Sequence, residues 1–73
     1  MPLVEVKVVK GVFDQAQKQE MVHKLTETMV GIEGEGLRPV TWVIIEEVES
    51  GDWGIGGRGM TTQDIKDVQA TAT

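Results

Sequence analysis

The stretch MPLVEVKV holds the residue with the most unusual chemical prospect, Pro2. If Met1 is removed after synthesis, the ring nitrogen of Pro2 becomes a free secondary amine. An internal proline carries an amide nitrogen, which is neither base nor nucleophile. A free α-amine has a pKa of about 7.7–8.0 in model peptides, and an apolar pocket favours its neutral form. Such a group accepts a proton at neutral pH and has a conjugate acid able to return it, the profile of a general acid–base catalyst. The plainer reading is a strand-opening proline, tolerated at a position where no ladder donor is lost.

Other candidates carry less. GIGGRG (54–59) matches G-x-G-x-x-G, but a dinucleotide site needs a strand before it, a helix after it and an acidic residue about 20 positions on. Here the chain ends too soon, so these glycines predict a tight reversal. His23 falls on the polar side of a predicted helix, with neither cysteine nor serine placed beside it, and is expected at the surface. Glu46 and Glu47 are adjacent in a predicted strand, where neighbouring side chains point to opposite faces. Paired-carboxylate chemistry is therefore not expected of them. Glu5 and Lys7 do share a strand face, an ordinary setting for a charge contact.

These residues need elements to position them. LVEVKVVK (3–10) alternates with period 2, placing Val4, Val6 and Val8 on one face, and predicts a strand. After Gly11, Asp14 precedes Gln17 by three residues, a capping-box start. Met21, Val22, Leu25, Met29 and Ile32 then recur along one side of an amphipathic helix running to about Gly31. Lys18 projects to the same side, with its stem expected to pack and its ammonium to reach water. Glycine-rich 31–40 reads as a loop. TWVIIEEV (41–48) reads as a second strand, apolar on both faces from Trp42 to Ile45, as in a strand covered on two sides. Strand–helix–strand is a βαβ unit with a right-handed crossover and parallel strands. GDWGIGG predicts a small hairpin, Thr61 starts a short helix over 65–68, and about 68–73 form a loose tail.

The 73 residues make one domain, 1–73, too short to bury much surface alone. With no cysteine and one histidine, neither disulfides nor a histidine–thiolate metal site can supply the missing stability. Open sheet edges point the same way, toward association with further copies. A net charge of −5 argues against nucleic acid or an anionic membrane surface as partner. Neither a leader pattern nor a membrane-length apolar run is present, which predicts a cytoplasmic protein.

The order of pieces, Met-Pro at the head of a strand, a glycine, an amphipathic helix, VIIEEV and then WGIGG (53–57), resembles the 4-oxalocrotonate tautomerase family from Pro2 to about Gly57. The resemblance implies an α/β fold in which βαβ subunits pair into dimers and three dimers form a hexamer. It implies loss of Met1, no cofactor and no metal, and an amino-terminal proline that moves protons between carbon and oxygen. The substrates it implies are small 2-hydroxydienoates or other enols of α-keto acids. Carried over by residue, Pro2 is the proton shuttle and Trp53 the aromatic wall of the pocket. Two substrate-gripping arginines of the family are absent. Val12 or Phe13 stands where one follows the glycine after the first strand, and Trp42 stands where the other lies in the second. Bidentate guanidinium forks suit carboxylates, so their loss argues against a dicarboxylate substrate. Arg38 and Arg58 are the remaining arginines and the candidate replacements. Trp42 and Trp53 suggest an apolar pocket whose indole N–H groups are also donors. The resemblance leaves two alternatives open. One is a hydratase or hydrolytic dehalogenase using Glu5, Glu46 or Glu47 to activate water. The other is a non-catalytic oligomeric relative.

Overall fold

The computed structural model describes residues 2–72, the side chain of Ala72 apart. Strand β1 (Leu3–Val9) is followed by helix α1 (Gln15–Glu33), a 3-10 helix (Glu35–Val40), strand β2 (Trp42–Val48), the short strands β3 (Trp53–Ile55) and β4 (Arg58–Met60), and helix α2 (Thr62–Ala72). β1 and β2 are parallel, in register from Leu3↔Trp42 to Val9↔Val48. This is the expected βαβ unit, with a C-terminal hairpin and helix.

Local chemistry explains most of the boundaries. The Asp14 carboxylate accepts from the Gln17 N–H at 2.8 Å, and the Gln17 side chain accepts from the Asp14 N–H at 2.9 Å. This reciprocal cap is worth about 1 kcal/mol and fixes where α1 begins. A second one starts α2, where Thr61 Oγ1 accepts from the Asp64 N–H at 3.1 Å and Asp64 accepts from the Thr61 N–H at 2.9 Å. Gly56 and Gly57, at φ 59° and 85°, make the two-residue connection between β3 and β4. Positive φ at both central positions is what a twisted hairpin asks for and what glycine adopts without strain.

The packing differs from the sequence reading in five places. On the apolar face of α1, Met21, Val22, Leu25 and Met29 are half-buried as expected and Val30 beside them is 5% exposed, whereas Ile32 in the last turn of α1 is 80% exposed. Polar residues share that face because their groups are satisfied: Thr26 donates to the Val22 carbonyl, and Glu33 accepts from the Thr41 hydroxyl. Lys18 is half-buried, and its ammonium meets Glu47 at 3.2 Å instead of water alone. The glycine-rich connection, expected as a loop, holds the 3-10 helix, and α2 runs to Ala72, into the stretch expected to be loose.

The fifth difference concerns β2, whose strand is covered on one face only. The face bearing Val4, Val6, Val43 and Ile45 is half-buried on the α1 side. The opposite face stays open, with Leu3 51%, Trp42 55% and Ile44 37% exposed. Among the described residues the buried apolar core is Val9, Val12 and Val30. The Cα radius of gyration is 14.8 Å, against about 11 Å for a compact domain of this length. The fold is extended, with an apolar sheet face uncovered.

Candidate active site

Pro2 stands immediately before β1. Its carbonyl accepts from the Trp42 N–H at 3.0 Å, the first bond of the parallel ladder. Pro2 therefore enters the sheet through its carbonyl, and its nitrogen has no donor role to lose. The residue is half-buried. The expected removal of Met1 concerns a residue outside those described.

Trp53 opens β3 and is half-buried. With Lys7, Val8, Val9, Val12, Phe13 and Ile65 it lines a cavity of about 200 Å³. The cavity lies along the C-terminal half of β1 and is almost wholly apolar, with the Lys7 side chain as its one ionic group. Val12 and Phe13, one of which the resemblance puts where the family has an arginine, are part of this wall. Lys7, Val8, Val9 and Ile65 were not singled out as site residues. Val9 was readable as a strand residue near a glycine, whereas Ile65 depends on the path of α2 back over β1, which no local pattern specifies.

The remaining candidates lie elsewhere. Trp42 is on the open sheet face beside Leu3 and Ile44 and does not line the Trp53 cavity. Arg38 is clamped by two carboxylates. Nη1 and Nη2 donate to Glu27 at 2.7 and 3.1 Å, and Nε and Nη2 donate to Glu35, both at 2.9 Å. Hydrogen bonds from Arg38 hold the Glu27 and Glu35 carboxyls below their usual range, and those same bonds raise the Arg38 pKa. Arg58 pairs with Asp64 at 3.1 Å. The Asp64 carboxyl is held low chiefly by the Thr61 backbone N–H and hydroxyl, with Arg58 adding to it. Neither guanidinium is among the cavity's lining residues.

The three candidate water-activating carboxylates are also dispersed. Glu46 pairs with Lys7 at 3.2 Å and Glu47 with Lys18 at 3.2 Å, on opposite faces of β2 as the strand period requires. Glu5 is exposed and in register with Ile44. None of the three lines the Trp53 cavity. His23 is exposed on α1, and GIGGRG forms the β3–β4 hairpin. Among the described residues no cluster of three metal-binding side chains occurs, and no helix is long and apolar enough to cross a membrane. A second cavity, of about 260 Å³, lies beside α1 and is lined by Gln15, Lys18, Gln19, Val22 and Ile45. Its cation, Lys18, is already neutralised by Glu47.

A tautomerase enzyme family model matches residues 2–63, which takes in Pro2, both strands of the parallel pair, Trp53 and the hairpin. The chain belongs to the tautomerase family. It is 36% identical over 61 residues to a probable tautomerase K2 of Dickeya dadantii (strain 3937), covering 84% of this chain and 90% of that protein. Among solved structures, a 4-oxalocrotonate tautomerase homologue aligns with a TM-score of 0.70 at 30% identity, over 88% of this chain and 95% of that one. DmpI from Helicobacter pylori aligns with a TM-score of 0.67 at 28% identity, over 85% and 97%. An apo unfused 4-OT structure gives 0.69 at 26% identity, over 86% and 97%. The tautomerase match ends at Gln63, so nearly all of α2, Ile65 included, lies beyond it.

Proposed function

We propose that the protein is a cofactor-independent keto–enol tautomerase of the cytoplasm. In this reading the amine of Pro2, exposed by removal of Met1, carries the proton. The observation that supports this most is the tautomerase match beginning at Pro2 itself, in a chain where Pro2 heads β1 and needs no ladder donor. The neutral amine takes the enol hydroxyl proton as the C–O bond becomes a carbonyl. The electron pair shifts through the conjugated chain to carbon, and the ammonium returns the proton there. Atoms and charge balance without an added reactant, and one group serves as base and then acid.

Geometry supports an oligomeric site. From Pro2 to Val9, at the cavity, is seven residues of extended chain, roughly 23 Å. A small substrate does not bridge that distance within one protomer. A second copy whose β1 ran antiparallel would bring its Pro2 to the Val9–Trp53 end of the first. Open strand edges and the exposed Leu3, Trp42 and Ile44 support such assembly, up to a hexamer of three dimers. Assembly would also desolvate the amine and hold its pKa below the model-peptide value.

The substrate we favour is an enol of an α-keto acid or a 2-hydroxydienoate with one carboxylate, because the cavity presents Val12 and Phe13 instead of a guanidinium. The test compares processed protein with protein whose proline nitrogen is blocked by Met1 or an acyl cap. The expected result is tautomerisation by the first and background rate in the second, with an unchanged sedimentation coefficient. Equal rates would overturn the proposal.

A further inference from the structure

Helix α2 is held against the β1 end by contacts that no hairpin requires. The Thr62 hydroxyl donates to the Lys10 carbonyl, the Thr62 N–H donates to Ser50 Oγ at 2.9 Å, and Arg58 bridges to Asp64 at 3.1 Å. These fix the first turn of α2, and with it Ile65, which stands three residues after Thr62 and forms part of the cavity wall. Lys7 is the cavity's sole cation, and its partner Glu46 leaves it readily: the pair is 3.2 Å long with both side chains about half exposed, a setting in which ion pairs contribute about 0–1 kcal/mol.

We propose that Ile65 and Lys7 set the substrate specificity of this cavity, Ile65 packing an apolar tail and Lys7 exchanging Glu46 for the substrate's single carboxylate. The inference rests on the tautomerase reading for its reaction but not for its binding step. Size favours an aromatic ring as the tail, since apolar cavities of about 150 Å³ accept benzene and this one measures about 200 Å³. Charge favours a monoanion, because one cation serves one carboxylate and the rest of the wall, Val9, Val12, Phe13 and Trp53, offers a second carboxylate only desolvation. The occupant is thus an α-keto acid enol bearing an aryl group. Because Ile65 lies outside the tautomerase match, this specificity is an addition of α2 to the common fold.

The binding step is tested with 3-phenylpropanoate, an unreactive monocarboxylate, titrated into the Met1-retaining protein and followed by NMR. The Ile65 methyl and Trp53 indole N–H signals are expected to move together and to saturate, and adipate, a dicarboxylate, to move them far less. If neither signal moves, or if they respond to protein concentration but not to ligand, a second copy fills the cavity and the proposal is overturned. The specificity step compares kcat/KM on phenylenolpyruvate and on 2-hydroxypenta-2,4-dienoate, which has no aryl tail. Ile65→Ala is expected to lower the ratio of the two about tenfold, the scale of small changes in apolar pocket volume. Lys7→Gln is expected to lower both values and leave the ratio within twofold. An unchanged ratio in Ile65→Ala, with activity present, overturns the specificity assignment alone. Saturable binding without turnover of either substrate overturns the tautomerase reading and leaves the binding assignment standing.

Discussion

Substituting Gly59→Ala should unseat Trp53 without touching it. A Cβ at position 59 would lie 2.3 Å from the Gly51 carbonyl oxygen and 3.2 Å from its carbon. Relief needs roughly 1 Å of movement to reach ordinary contact distances, and the obstacle is backbone, not a side chain able to swing away. Gly51 is itself pinned, since its N–H donates to the Met60 carbonyl at 2.9 Å, and Gly59 is paired with Gly54 across the hairpin. Overpacking costs about 1–3 kcal/mol, and one strained ladder bond adds about 1 kcal/mol. The expected destabilisation is therefore about 3 kcal/mol, or a fall in Tm of about 15 °C for a domain of this size. Because Trp53 is paired with Met60 in the same hairpin, kcat/KM should fall as well, even at temperatures where the protein is folded. Denaturant unfolding by circular dichroism measures the first effect, at matched protein concentration because assembly contributes to apparent stability. Gly36→Ala is the control: nothing lies within 4 Å of its Cβ, and its φ is not positive. That variant should stay within about 1 kcal/mol of wild type. A Gly59→Ala protein within about 0.5 kcal/mol of wild type would refute the steric reasoning.

Three further outcomes follow from named contacts. Lys18→Met should destabilise by about 1–2 kcal/mol, between the surface and buried limits for ion pairs, because it strands a half-buried Glu47. Adding Glu47→Leu should recover most of that, and a double variant no better than the single would show the pair to be incidental. Glu27 and Glu35 titrate below their ordinary 4.5 through Arg38. Their folded pKa values are depressed, so the stability they contribute is present above about 4.5 and is lost as pH falls through the lowered values. Arg38→Gln should return both carboxyl titrations, read by NMR, toward 4.5 and flatten that acid limb. It should leave KM unchanged if the guanidinium serves the clamp and not the substrate. Finally, kcat/KM for phenylenolpyruvate should exceed that for a dicarboxylate enol by about ten- to a hundredfold, the scale of one charge-assisted contact. A preference for the dicarboxylate would count against the apolar cavity as the substrate's seat.

Much of the fold was readable because local chemistry determined it. Asp14 with Gln17, Thr61 with Asp64, and Gly56 with Gly57 each specify a boundary through their own hydrogen bonds or φ values. Alternation in β1 and the apolar run in β2 located the parallel pair. What the residues did not reveal was which neighbours each face meets. Met21, Val22, Leu25 and Met29 of the helical stripe are half-buried as their spacing predicts, with Val30 buried beside them, whereas Ile32, at the same helical angle but in the last turn, is exposed. Trp42 and Trp53 read as walls of one pocket, but within a protomer Trp42 is in register with Leu3, at the end of β1 opposite the Val9 that lines the Trp53 cavity. Arg38 and Arg58 looked like spare cations, but both find carboxylates through tertiary contacts, Arg38 across 11 residues. Of the residues that line the apolar cavity, Trp53, Val12 and Phe13 were the ones the sequence had pointed to. Ile65 required the path of α2, and Lys7 the placement of the cavity along β1.

The central claim is that the Pro2 nitrogen is the proton carrier. Its most direct test is the pH dependence of kcat/KM for phenylenolpyruvate, measured on protein shown by intact mass to lack Met1 and on protein retaining it. The processed enzyme should show a basic limb rising through a single pKa below the model-peptide amine range of about 7.7–8.0. The Met1-bearing protein should assemble normally and show only the background rate at every pH. Equal activity in the two forms, or a profile without that limb, would leave Pro2 as nothing more than the residue that opens β1.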